Sequence, residues 1–242
     1  MSKQKSLLQG FPAALIVLSA AISICAQTQS DAKHNSRPQH VADSSVSDSA
    51  KTDAVKYSYE FSQPKFYIKH IVIEHDANGR GTVTFERLNE DTPVSEPMEL
   101  STTALARITT LWQALQFLDS DTDYQSNKQF PHLGTMRISM QRGERKRVAE
   151  FNWTNNSEAS KLINEYRKAA DQAILVFDIS IARENQPLNA PKLMELFESL
   201  LKRDGLSDPR QLLKLLKDLS TDEHVPLIAR NHALRLIKQI EK

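Results

Sequence analysis

The chain has 242 residues, of which 40% are hydrophobic and 25% charged, and its formal net charge at pH 7 is +1. This composition is typical of a globular protein, and the length leaves room for one large domain or two small ones plus an appendage. The near-zero charge predicts no general attraction to nucleic acid. The single cysteine, Cys25, lies in an N-terminal leader, so we expect neither a disulfide nor a cysteine-based metal or catalytic site in the mature chain.

Residues 1–26 have the pattern of a bacterial secretory signal peptide. Two lysines precede an uncharged apolar run at 11–24, and Ala26 is a small residue at the cleavage position. The run is shorter than the roughly 20 residues that a membrane span needs. Lipidation of Cys25 is the alternative, but Ile24 occupies the place where a lipobox has a small residue. We therefore expect cleavage after Ala26, a mature protein without a membrane span, and a periplasmic or secreted location.

Residues 27–56 predict a disordered linker. Ser, Asp, Gln and Lys dominate this stretch, and it contains no aromatic residue before the predicted fold begins at Tyr57. Such a segment cannot bury enough apolar surface to offset the entropy of ordering it. His34 and His40 lie here and could bind a metal loosely, but a solvated linker is the favoured interpretation.

Residues 57–186 predict an α+β domain. Residues 66–88 read as a β-hairpin with its turn at 76–81, and residues 135–153 read as a second hairpin that turns near Arg142 and Gly143. A loop at 89–97 and a short strand at 98–100 follow the first hairpin. A helix capped by Ser101 or Thr102 comes next, and a long helix capped at 155–157 follows the second hairpin and ends by Pro187. We expect an antiparallel sheet of four or five strands with both helices on one face.

This order of elements resembles a group of exported bacterial domains of unknown function. The resemblance is carried by Gly81-Thr82-Val83-Thr84-Phe85 in the first hairpin and by the leucine-rich helix after it, and it covers about residues 66–175. It implies a fold and no particular chemistry.

Residues 187–242 predict a helical subdomain with three helices. Their starts are indicated by 189–191, by 207–209 and by Val225. The last two helices resemble a single HEAT-type helical hairpin at about 208–241, although one unit is too few for a solenoid. Leucines surround much of the second helix, so it must be covered on most sides. We expect this tail to pack on the long helix and to leave a groove for a protein partner or a homodimer.

An acidic loop offers weak candidates for a metal site. Asp119, Asp121 and Asp123 have the spacing that opens an EF-hand calcium loop. The glycine needed at the sixth place and the glutamate needed at the twelfth are replaced by Tyr124 and Phe130. We therefore expect no tight calcium binding at this loop.

The remaining candidates for chemistry point away from catalysis. His70 and His75 lie five residues apart on one strand, so the pleat sends them to opposite faces and they cannot share a metal. The basic run at 142–147 reads as an exposed hairpin turn, with contact to an anionic polymer as the alternative. The sequence contains no nucleophile elbow, phosphate-binding loop or dinucleotide fingerprint, so we expect no cofactor and assign no catalytic residue.

Two classes of function remain from the sequence. The favoured one is a non-catalytic envelope protein that binds another protein through a sheet edge or through the C-terminal helices. The alternative is a hydrolase that acts on envelope polymers through carboxylates the sequence does not locate. A concave pocket that gathers two or more ionisable side chains would favour the enzyme.

Overall fold

A computed structural model describes residues 54–242. The predicted signal peptide, its cleavage site, Cys25 and residues 27–53 of the predicted linker lie outside the described residues. The rest of the chain mixes strands and helices, which confirms the α+β class. The strands are β1 (Val55–Ser62), β2 (Ile68–Asp76), β3 (Arg80–Arg87), β4 (Val94–Glu99), β5 (Thr135–Arg142) and β6 (Arg145–Phe151). The helices are α1 (Thr102–Leu115), α2 (Ser157–Asn185), α3 (Ala190–Lys202), α4 (Leu213–Thr221) and α5 (Leu227–Ile240), with short 3-10 turns at Pro131–Leu133, Pro187–Asn189 and Pro209–Leu212.

The six strands form one antiparallel sheet in the order β4-β3-β2-β1-β5-β6. The sequence predicted four or five strands and missed β1, which pairs with both hairpins at the centre of the sheet. β1 begins at Val55, inside the range assigned to the linker. Its apolar residues alternate regularly with polar ones, but they follow a long polar segment that hides the pattern. Tyr57, Tyr59 and Phe61 are all buried on one face.

Strand β4 corrects a second prediction. Residues 89–97 were expected to be a loop because of their prolines, yet β4 starts at Val94 and contains Pro97. Proline is tolerated here because β4 is an edge strand, where one side of the backbone has no ladder partner.

The two hairpins and the two helices of the sheet domain form where the sequence predicts them. Ser101 caps α1 by accepting a hydrogen bond from the Ala104 amide, and Asn156 caps α2 by accepting one from the Ala159 amide. Buried and accessible residues alternate along the strands, and the apolar faces of α1 and α2 join the buried face of the sheet in one core. The prediction that both helices cover the same face is confirmed.

A buried chain of hydrogen bonds ties β2, α1 and α2 together. The Asp76 carbonyl accepts from Nδ1 of His75 at 2.8 Å, so Nε2 of the neutral ring must be an acceptor. The Tyr166 hydroxyl donates to that Nε2 at 2.8 Å and accepts from the Trp112 indole at 2.9 Å. Burial lowers the pKa of His75, which favours this neutral form.

The C-terminal helices form a second core with the latter part of α2. Leu175 and Ile179 of α2 are buried together with the apolar residues of α3, α4 and α5, among them Phe197 and Leu216. The prediction that the tail packs on the long helix is therefore confirmed. Helix α2 contributes to both cores, so it connects the sheet to the tail.

Candidate functional site

Two concave surfaces of the protein lie beside α2, and the larger of them is between the first half of α2 and one end of the sheet. At that end β1 and β6 finish and β2 and β5 begin. Its volume is about 980 Å³, within the range of small-molecule pockets. We call it the aromatic cleft. Its lining includes Tyr59, Phe61, Lys65, Phe66, Tyr67, Ile71, Leu133, Met136, Phe151, Trp153, Lys161, Ile163, Arg167 and Asp171.

Three aromatic residues at the cleft are unusually accessible. Phe66 is 43% exposed, Tyr67 is 64% exposed and Trp153 is 44% exposed. Phe66 and Tyr67 belong to the short connection between β1 and β2, and Trp153 follows β6. Large aromatic surfaces that water can reach near a concavity are available to contact a ligand.

Tyr59 supplies a buried polar atom at this cleft. Its side chain is fully buried, and its ring stacks on Tyr166 with centroids 5.2 Å apart. The Tyr59 hydroxyl has no hydrogen-bond partner among the described residues. Burial raises the pKa of Tyr59 to about 12, an effect that the nearby Arg167 opposes, so the hydroxyl is neutral at physiological pH. The Arg167 guanidinium opposes the shift through its charge and a hydrogen-bonding approach to this hydroxyl, but the approach falls outside ordinary hydrogen-bond geometry.

Arg167 brings a positive charge that no described carboxylate pairs. Its guanidinium lies over the Phe61 ring at 5.6 Å, and its hydrogen bond is to the weak acceptor Met136 Sδ at 3.5 Å. Asp171, one turn further along α2, forms no salt bridge within residues 54–242. Burial raises the pKa of Asp171, and the charges of Arg203 and Arg167 oppose this shift.

The charges of the cleft suit anion binding better than hydrolysis. Lys65, Lys161 and Arg167 are cationic, and Asp171 is the single carboxylate in the lining. The cleft thus gathers several ionisable groups, the property named above as favouring an enzyme. Hydrolysis by paired carboxylates nevertheless needs a second acid across the cleft, and this lining has none.

A second concavity of about 590 Å³ lies between β4, the second half of α2 and α4. Its floor consists of aliphatic and aromatic side chains, and most of the charged side chains that line it are carboxylates. We call it the acid-rimmed groove. The apolar lining includes Met98, Leu100, Ala173, Val176, Phe177, Ile181 and Leu215, and the charged lining comprises Glu96, Glu99, Glu184, Lys214 and Asp218.

Two carboxylates of the acid-rimmed groove have no cationic partner in the described part of the chain. Glu99 lies 3.4 Å from Arg80, and Asp218 lies 2.7 Å from Lys214. Glu96 and Glu184 make no such ion pair. Glu96 is directly opposite the buried Val83 on β3, so its side chain points to the inner face of the sheet and into the groove.

The two charged segments singled out in the sequence contact each other. Arg145 of the basic hairpin donates to Asp119 of the acidic loop at 2.6 Å. Arg147 donates to the Phe117 and Thr122 carbonyls, each at 2.7 Å, and its guanidinium stacks over the Phe117 ring at 4.8 Å. The basic run therefore fastens the loop that follows α1.

The acidic residues of this loop do not converge. Asp119 is engaged by Arg145, and Asp123 accepts from the Gln125 amide at 2.9 Å. Across residues 54–242, no group of three His, Cys, Asp or Glu side chains is arranged to hold a metal ion. Asp121 forms no hydrogen bond or salt bridge with the described residues.

The two histidines of β2 face opposite ways, as predicted. His75 is in the core, whereas His70 lies on the open face between Glu60 at 3.0 Å and Glu86 at 3.2 Å. Each ring nitrogen is taken by a different carboxylate, so these groups do not converge on one point as metal ligands do.

The residues that build the cleft were not identified from sequence. Tyr59 lies on the missed strand β1, and Arg167 was absent from the apolar stripe by which α2 was recognised. The run Lys65-Phe66-Tyr67 directly after Pro64 was the available indication, since a short connection exposes adjacent aromatic side chains.

No protein-family model matches this chain, and no curated protein sequence matches it either. In the described range, none of the helices combines the length and the apolar character needed to cross a membrane. The geometry and charge of the cleft and the groove are therefore the features that point to a function.

Proposed function

We propose that this chain is an exported, non-catalytic envelope protein that binds another protein through the acid-rimmed groove. The export part of the proposal rests on the signal-peptide pattern of residues 1–26. The binding part rests on the groove that the C-terminal helices leave beside α2. The partner that fits this groove is a basic amphipathic segment, with apolar side chains toward the floor and Lys or Arg toward the rim.

The observation that carries the proposal is the combination of an apolar floor with unpaired carboxylates. Ile181 is 38% exposed beside the groove, and Phe177 and Leu215 line it. Glu96 and Glu184 supply negative charge without a described cationic partner. A segment with both properties buries the apolar surface and neutralises these carboxylates, which favours the correct partner and speeds encounter.

The sheet edges are less suited to adding a strand from a partner. At one edge, β4 contains Pro97 and the inward-pointing Glu96. At the other, β6 begins with Arg145-Lys146-Arg147. Proline, inward charges and clustered cations are the features that discourage edge-to-edge pairing. Of the two routes predicted from sequence, the C-terminal helices are therefore the favoured one.

A defined peptide tests the proposal. The mature chain is titrated with a synthetic amphipathic helical peptide that carries lysines on its polar face, and with a matched peptide that carries glutamates instead. We expect the lysine peptide alone to bind, with an affinity that falls as salt is added. Glu184→Lys should abolish this binding, whereas Glu195→Lys, the same charge change at an exposed site on α3, should not. Equal binding of both peptides would contradict the proposal.

Self-association is a separate outcome of the same experiment. The exposed face of α5 carries Leu227, Ile228 and Leu234 next to Arg235 and Lys238. If a second copy fills the groove with this face, light scattering will report a dimer that the lysine peptide dissociates. That result would make the partner a second copy of this chain.

Hydrolysis of an envelope polymer is the second candidate, because the groove does gather carboxylates. Glu96→Gln and Glu184→Gln distinguish the two functions while keeping side-chain size. A binding groove should lose affinity by a moderate factor in each variant. A hydrolase that uses these residues as acid and base should lose turnover of a polymer substrate almost completely.

A further inference from the structure

We propose that the aromatic cleft binds an amphipathic organic anion, with one carboxylate held by Arg167 and an apolar body against the aromatic rim. This site is separate from the acid-rimmed groove, and the two can be tested independently.

The Tyr59 hydroxyl is buried at the floor of the cleft, beside Arg167. The Tyr59 side chain has no accessible surface, yet the residue lines the cleft and its hydroxyl has no hydrogen-bond partner among the described residues. Buried polar groups in proteins almost always have partners, so an orphan of this kind calls for an explanation. The neighbouring Arg167 lies close enough to lower the pKa of this hydroxyl, and because the hydroxyl has no accessible surface, a ligand oxygen meets Arg167 and not Tyr59.

Arg167 has hydrogen-bond donors that are available to a ligand. Its guanidinium carbon lies 5.6 Å from the centre of the Phe61 ring, a cation–π distance. The five N–H donors of a guanidinium lie in one plane. One of them is aimed at Met136 Sδ, a weak acceptor. The remaining donors are suited to a carboxylate, which guanidinium groups bind with two parallel hydrogen bonds.

The rest of the aromatic cleft has an apolar surface. Phe66, Tyr67 and Trp153 are accessible at the rim, and Phe61, Ile71 and Met136 continue the apolar lining. An inorganic anion would leave this surface in water, whereas a hydrocarbon or aromatic body would cover it. The volume of about 980 Å³ is enough for such a body.

The charge of the lining sets the number of negative groups on the ligand. Lys65 and Lys161 add positive charge to that of Arg167, and Lys161 is already paired with Glu158 at 2.9 Å. Asp171 stands one helical turn from Arg167 and would repel a second carboxylate placed deep in the cleft. A ligand with a single negative group is therefore favoured over a dianion.

The experiment is titration of the mature chain with decanoate at concentrations below micelle formation. The chain has two tryptophans, of which Trp112 is in the core and Trp153 lines the cleft, so Trp153 fluorescence reports occupancy. We expect saturable binding that Trp153→Phe makes invisible to fluorescence but not to calorimetry. Arg167→Gln should weaken binding by about tenfold or more, since a charge-assisted pair is lost. Arg235→Gln, the same change on the exposed face of α5, should leave the affinity unchanged.

Further arms of the experiment separate the sources of the effect. Tyr59→Phe should leave decanoate affinity nearly unchanged, because this hydroxyl is sealed from the cleft, and a loss as large as that in Arg167→Gln would overturn the assignment of the carboxylate to Arg167. Equal affinity for decanol, or no loss in Arg167→Gln, would overturn the recognition of an anion. Binding to anionic phospholipid vesicles without binding of monomeric decanoate would mean that this face is a membrane contact, and would overturn the proposal as well.

Discussion

The two halves of α2 line concavities of opposite charge. Its first half, with Arg167, faces aromatic side chains of the sheet and lines a cleft with excess positive charge. Its second half, with Phe177 and Ile181, faces aliphatic helices and lines a groove with excess negative charge. One continuous helix thus serves two concavities that suit oppositely charged ligands. The apolar stripe of the helix determines what it packs on, whereas the residues beside the stripe determine what it could bind.

The two cores also differ in how many buried polar groups they contain. The sheet core contains a hydrogen-bond chain through His75, Tyr166 and Trp112, whereas the tail core is mostly aliphatic around Phe197, with a polar link from Gln172 to the Asp208 amide. A buried polar chain ties elements to specific positions, because a misplaced partner leaves an unpaired group. An aliphatic core has no such directional requirement. The following predictions test this difference, beginning with the largest expected effect.

Truncation after Gln186 should destabilise the remaining domain strongly. The cut removes α3, α4 and α5 and exposes Leu175 and Ile179 to water. Burying one such side chain is worth roughly 1.5–3 kcal/mol, so a loss of several kcal/mol is expected from a total stability of about 5–15 kcal/mol. Urea unfolding of the truncated chain and of the chain with its tail measures the difference. An unchanged unfolding midpoint would show that the tail is an independent appendage.

Tyr166→Phe should destabilise the sheet core by about 2 kcal/mol or more, because it leaves the Trp112 indole and His75 unpaired. Tyr59→Phe is a closely matched control, since the two rings stack on each other and the chemical change is identical. It removes a hydroxyl without a described partner, so its effect should be near zero or stabilising. A loss of equal size in the two variants would show that ring packing, not the hydrogen bonds, carries the effect.

The stability of the sheet core should decrease as the pH falls below about 6.5, the ordinary pKa of histidine. Burial lowers the pKa of His75 in the folded protein, so the unfolded chain takes up this proton first and becomes relatively more stable. The Asp222–Arg183 pair of the tail behaves differently. Its hydrogen bonds hold the pKa of Asp222 at about 2, so its contribution is present above about pH 4 and is lost only toward pH 2.

Urea titrations between pH 7 and pH 5 check this order. His75→Gln should reduce the pH dependence of stability in that range. His70→Gln changes a histidine of the same strand on the open face, and we expect it to leave the contribution of His75 in place. If the pH dependence were the same in His75→Gln and in the unaltered chain, the assignment to His75 would be wrong.

The smallest effect is expected at the acidic loop. Asp119 and Arg145 form an accessible ion pair, and such pairs contribute about 0–1 kcal/mol. Asp119→Ala should therefore change stability by less than about 1 kcal/mol. Added calcium should not raise the melting temperature of the mature chain, because the Asp119, Asp121 and Asp123 side chains do not converge. A calcium-dependent increase that Asp121→Ala abolishes would contradict this.

Local patterns were sufficient for the α+β class, both hairpins and the helix starts at Ser101 and Asn156. Capping residues, turn residues and apolar periodicity act over a few neighbouring positions, so they are visible in a single sequence. The same reasoning failed at Pro97, where a proline normally indicates a loop. Only the position of β4 at the sheet edge makes that residue acceptable, and a strand's place in a sheet depends on distant pairing.

The sequence by itself determined the two hairpins and the helices, the apolar faces they carry, and that the tail must cover a long helix. Tertiary structure alone decided that β1 joins the two hairpins, and that Arg145 meets Asp119. It also decided that Tyr59 and Arg167 approach one cleft from different elements. Periodicity records which side of an element is apolar, but it contains no information about which other element lies opposite. The charges and unpaired groups that define both concavities arise from those long-range contacts, so they became visible only in the folded chain.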